Sequence, residues 1–241
     1  MKIKKIFVTL FLVLALIRIE NMGVLAMATG FSTENMESER QQRFLSNIGL
    51  YVTEIPPEKN MIECFDVNED GMIALGSQNS NEKTVSIYKR DGTFQYAYHF
   101  TCNGSFGIEW DDSNVIIYFV RSDVAASFDR HGANIEICEI PNTIENNSYW
   151  NHSVFSTQRT VGDKQYEMKA NRGILGFFAT SYSRIIENDG NGNTTVLYDV
   201  SSEATVRIAV ILIGVVLFAT FAVYMIVLEL KKQQDIWKKM Q

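Results

Sequence analysis

The chain has 241 residues, a formal net charge of −6 and three cysteines, and is 46 % hydrophobic and 21 % charged. These figures exclude a disordered chain, a collagen-like repeat, a disulfide scaffold and a globally basic nucleic-acid binder, so no nucleic-acid partner is expected. The average charge conceals a division: residues 29–206 hold 25 acidic against 13 basic side chains, a net −12, while the two ends hold 9 basic and 3 acidic.

Lys2, Lys4 and Lys5 lead into an apolar run from Ile6 to Ile17. That run is shorter than the roughly 20 residues a bilayer span takes, and it fits the apolar region of a secretory leader. Ala26-Met27-Ala28 offers an A-x-A cleavage site, so residues 1–28 read as a signal peptide. Arg18 and Glu20 interrupt the approach to that site, which keeps an uncleaved anchor as the alternative. Either way the middle of the chain lies outside the cytoplasm. Residues 29–61 read as a polar linker with a short helix or an extra strand.

Residues 62–204 read as an ectodomain of three repeated units of four short strands each, at 62–100, 106–140 and 165–200. Gly92 and Gly132 stand 40 residues apart and Gly132 and Gly192 60. The excess falls on the polar stretch 141–164, an insertion between the second and third units. Alternating strands with Asp-Gly turns predict a mainly β fold. Asn114-Val-Ile-Ile-Tyr-Phe-Val120 and Gly173-Ile-Leu-Gly-Phe-Phe-Ala179 are nearly continuously apolar and predict strands buried on both faces.

Four-stranded units of about 40 residues are the blades of a propeller. Phe65-Asp-Val-Asn-Glu-Asp-Gly71 followed by Val85-Ser-Ile-Tyr-Lys-Arg-Asp-Gly-Thr-Phe94 resembles the NHL-type β-propeller repeat. The second unit keeps Trp110-Asp111-Asp112 and Phe128-Asp129-Arg-His-Gly132 but lacks a glycine after Asp112, and the third unit diverges most. The resemblance spans 62–200 and implies a partial propeller of three blades. It carries no activity with it. Closed propellers use 4–8 blades, so two flanks stand open. Either a second copy or another protein caps them, or the insertion and the linker cover an open, curved stack of sheets.

Residues 207–230 read as one transmembrane helix, since Ile208 to Leu228 carries no charge. Lys231, Lys232, Lys238 and Lys239 follow it, which makes 231–241 a basic cytoplasmic tail and the chain a single-pass protein of the cell membrane. The lysine-led leader has a bacterial cast.

Few motifs carry chemistry. Asp66, Asn68 and Asp70 have the D-x-N-x-D-G start of a calcium loop, although Ser77 stands where that loop ends in glutamate. No other cofactor is implied. Tyr149, Trp150, His152 and Phe155 crowd large rings into the polar insertion, where they bind a partner or fold down over an open flank. Asn103-Gly-Ser-Phe-Gly107 matches a nucleophile elbow only superficially, because its context is strand to strand. The expected role is a membrane-anchored extracytoplasmic binding or scaffolding module without enzymatic activity. The alternatives are an accessory or sensory subunit of a membrane complex, and a cell-surface hydrolase or lyase with a propeller pocket.

Overall fold

A computed structural model describes residues 27–79, 82–170 and 182–240. The apolar leader to residue 26 and the strand expected at 173–181 lie outside them. The fold is mainly β, with one long apolar helix at its C-terminal end.

The stretch 29–61 contains helix α1 (Ser38–Ile48) and strands β1 (Glu34–Asn35) and β2 (Tyr51–Thr53). Three antiparallel meanders follow. The first is β3 (Ile62–Val67), β4 (Ile73–Asn79), β5 (Glu82–Tyr88) and β6 (Phe94–Phe100). The second is β7 (Phe106–Asp111), β8 (Asn114–Phe119), β9 (Val124–Phe128) and β10 (Asn134–Glu139). The third is β11 (Gln158–Val161), β12 (Lys164–Ala170), β13 (Tyr182–Asn188) and β14 (Thr194–Asp199). Between the second and third lie helix α2 (Ile144–Tyr149) and one π turn (Trp150–Val154). The linker strands cap two outer edges, β2 on β6 and β1 on β10.

The last hairpin of each meander is built alike. Gly92, Gly132 and Gly192 take φ of 81°, 82° and 85°, and the N–H of each donates to the carbonyl three residues earlier. This left-handed geometry is open to glycine at little cost. In the β7–β8 turn, where glycine is missing, Asp112 itself adopts φ 53°.

Two features differ from the expected blades. The third unit begins at β11, inside the stretch 141–164 read as insertion. Gln158-Arg-Thr-Val161 shows no apolar run, because this strand earns its place through Arg159 rather than through burial. The first and third units are also not separate blades. Ile62 pairs with Tyr182, joining β3 to β13, so the two meanders and the linker strand β2 form one curled nine-stranded sheet.

Packing follows the two-residue strand period. Cys64, Ala74, Val85 and Ile87 of the first unit meet Ile108, Val115, Ile117 and Phe119 of the second, and α1 adds Ile48. On the opposite face Phe65, Val67, Ile73 and Leu75 meet Tyr166, Met168 and Ile185 of the third unit. The outward face of the second unit, Ile116, Tyr118, Ala125 and Cys138, is covered by Met27, Phe31 and Val154. The order through the molecule is therefore cover, second unit, first unit, third unit.

Helix α3 (Ser201–Met240) has 40 residues, about 60 Å at 1.5 Å per residue, so it extends through most of the basic tail. Its segment Ala209–Leu230 is long and apolar enough to cross a membrane. None of that segment is buried in the protein, and Phe218 is 74 % exposed.

Candidate functional site

Three first hairpins, β3–β4, β7–β8 and β11–β12, converge on a cavity of about 940 Å³. Its rim carries Glu69, Asp70, Asp111 and Asp112, and its walls include Tyr96, Trp110 and Met72. The volume is within the range of small-ligand pockets, which run to about 1,000 Å³. Among the described residues one cation stands at the rim: Arg130, whose guanidinium lies 5.9 Å from the Tyr96 ring centroid. The indole Nε1 of Trp110 is buried and finds no hydrogen-bond partner among the described residues.

Beneath the cavity Asp66 joins all three units. Its Oδ1 accepts from Arg159 Nε of β11 (2.7 Å) and its Oδ2 from the Trp110 backbone N–H of β7 (2.8 Å). The two charged side chains are only 14 % and 13 % exposed. Burial pushes the Asp66 carboxyl up, against the opposing pull of Arg159 and of the Trp110 N–H. Arg159 also donates to the Val154 and Ser156 carbonyls, tying the insertion to the same junction.

The neighbouring Glu109 accepts from Tyr118 Oη (2.6 Å) and from Tyr149 Oη (2.8 and 3.0 Å). With the single Tyr118 proton committed to Glu109, Thr29 Oγ1 donates to Tyr118 Oη at 2.7 Å. Burial raises the Glu109 carboxyl, and the two phenol hydroxyls offset only part of that rise.

The three residues of the expected calcium loop stand apart in the structure, two of them held by other partners. Asp66 is turned into the protein and held by Arg159, and Asn68 Oδ1 accepts from the Met72 backbone N–H (2.8 Å), closing the hairpin. Asp70 is exposed at the rim. Among the described residues no group of three or more His, Cys, Asp or Glu side chains is placed to hold a metal ion.

The rings of the insertion lie down on the second unit. Phe31 packs against Tyr149 and Trp150 at centroid distances of 4.6 and 4.7 Å, and Trp150 stacks on Phe155 at 5.6 Å. A Cβ on Gly107 would sit 2.1 Å from Val154 Cγ1, and one on Gly30 would sit 2.1 Å from the Tyr149 ring. Close approach of the cover thus requires glycine at both places. His152 is exposed, its Nδ1 2.9 Å from the Ser148 carbonyl oxygen. Sequence reasoning singled out Asp66 and Asp70 for another chemistry and missed Glu109, in the half-apolar strand β7, and Arg159, in the polar strand β11, since neither has a local signature. The three cysteines are free, Cys64 and Cys138 buried.

Compared with protein-family models, curated proteins and solved structures, the chain matches none.

Proposed function

We propose that the chain is a single-pass extracytoplasmic binding module, secreted by its leader and anchored by Ala209–Leu230, that takes a cationic ligand in the three-hairpin cavity. The carrying observation is the meeting of four rim carboxylates with the Tyr96 and Trp110 rings in one cavity at the junction of the three units. Carboxylates attract a cation over a distance, and aromatic faces hold one at contact. Arg130 over Tyr96 is the chain's own instance of that contact. The net −12 of residues 29–206 extends the same preference over the ectodomain. We read the three meanders as divergent propeller-like units and the tail lysines as cytoplasmic, as the positive-inside rule favours.

Tetralysine, titrated calorimetrically into the full chain in lipid nanodiscs, tests this reading. Binding that weakens with salt, and weakens at least about tenfold when Asp111→Asn and Asp112→Asn are combined, supports it. No binding, or binding indifferent to that pair, overturns it.

A second reading, an accessory or sensory subunit, has an observation of its own. Only Val200 separates β14 from α3, and it is buried. The Ser201 N–H donates to Asp199 Oδ1 (2.7 Å), and Arg184 Nε donates to Ser201 Oγ (2.8 Å). Helix and sheet are thus joined without a flexible linker, as a mechanical relay between ligand and membrane partner needs. Insertion of four Gly-Ser pairs after Val200 separates the readings: ligand binding survives in both, and partner signalling is lost only in the second.

A further inference from the structure

The leader and the first described residues of the ectodomain meet at a bond whose position the fold constrains. Met27 is 8 % exposed and sits in the core that covers the second unit, with Phe31, Ile116 and Cys138. Its backbone N–H donates to Glu136 Oε2 of β10 at 2.5 Å. Its carbonyl accepts from the Thr29 N–H at 2.9 Å. Ala28, by contrast, is exposed. A chain starting at Thr29, as the A-x-A motif suggests, would lose the Met27 side chain from that core and the Glu136 donor with it. Leader peptidases take small uncharged side chains one and three residues before the cut. Val24 and Ala26 supply that pair two residues upstream of Ala28, and nearer the apolar run.

We propose that the leader is removed by hydrolysis of the Ala26–Met27 bond, and that the new α-ammonium of Met27 is seated on the Glu136 carboxylate. Water adds across the peptide bond: the C–N bond breaks, a carboxylate stays on Ala26, and the amine leaves with Met27 and takes a proton. The amide donor that now faces Glu136 becomes a charged one, and charge-assisted hydrogen bonds are roughly twice as strong as neutral ones. Processing thereby completes the cover of the second unit. The inference rests on the leader reading, not on the cationic ligand.

The test is N-terminal sequencing of the full chain after export and membrane insertion in a bacterial host. The expected start is Met-Ala-Thr-Gly-Phe. Val24→Lys should block processing and Ala28→Leu should leave it unchanged. A start at Thr29, with the opposite response of the two variants, overturns the site and keeps the leader. An intact Met1 overturns both, and neither result touches tetralysine binding. Acylation of the mature α-amine near neutral pH, read by peptide mass spectrometry, tests the seat. Glu136→Gln should label about tenfold faster, the equivalent of one pKa unit. Equal rates overturn the seat.

Discussion

The two ends of the sheet stack are finished differently. In the second unit β8 and β9 are buried from Val115 to Phe119 and from Val124 to Phe128, because the first unit packs on one face and the cover on the other. In the third unit β14 is exposed from Thr194 to Val196, and the outer face is charged. Lys169, Arg184 and Asp199 stand in register across β12, β13 and β14, with ion pairs Arg184–Asp199 at 2.9 Å and Lys169–Glu167 at 3.4 Å. Among the described residues, one end is closed by apolar cover and the other carries solvated charge. Both are ways to protect a sheet, and only the first asks for extra chain.

The comparison is broken most forcefully at the junction beneath both ends. Arg159→Met leaves the buried Asp66 carboxylate without its cation and should cost about 3–5 kcal/mol in urea unfolding. Adding Asp66→Asn should restore much of that loss. A single variant within 1 kcal/mol of the parent, as an order of magnitude for a surface pair, would show that the third unit does not depend on this contact.

Truncation comes next. Ile117→Ala, at 0 % exposure between the first and second units, should cost about 3–5 kcal/mol. Met168→Ala, at 4 % exposure on the thinner side, should cost about 2–3 kcal/mol. The reverse order in thermal unfolding would remove the distinction between the ends.

The cover is tested at Gly107 and Glu109. Gly107→Ala drives a methyl into Val154 and should cost about 1–3 kcal/mol, with Val154→Ala in the same chain relieving it. Glu109→Ala removes the acceptor shared by the buried Tyr118 hydroxyl and the half-buried Tyr149 hydroxyl and should cost about 1–3 kcal/mol. Glu109→Gln keeps an acceptor for them. Because burial raises the Glu109 carboxyl, the folded protein holds that proton more tightly than the unfolded chain does. Its contribution to stability is therefore fully present below the ordinary glutamate value and is lost as pH rises through the raised one. Melting temperature against pH should be flatter for Glu109→Gln than for the parent between the ordinary carboxylate range and neutrality.

The smallest effect belongs to the bare end. Thr195→Lys on β14 should stay within about 0.5 kcal/mol, as a substitution at an exposed position. Hydrogen exchange should be faster along β14 than along β10, which β1 partly caps.

The sequence by itself determined the local structure. Alternation of apolar and polar residues set the strands, left-handed glycines set the repeated hairpins, and the continuous run at Asn114–Phe119 announced a strand covered on both sides. The uncharged run from Ile208 to Leu228 marked the apolar helix. These signals are local, since each depends on residues a few positions apart. Only the tertiary structure decided what the chemistry-bearing residues do. Asp66 reads as a calcium ligand from its neighbours, yet its partner Arg159 comes from a strand 93 positions away. Glu109 shows its role only once Tyr118 and Tyr149 fold onto it, and Gly107 only once Val154 presses against it. Buried charges and close contacts are satisfied by whichever groups the packing brings within reach, and that reach is independent of distance along the chain.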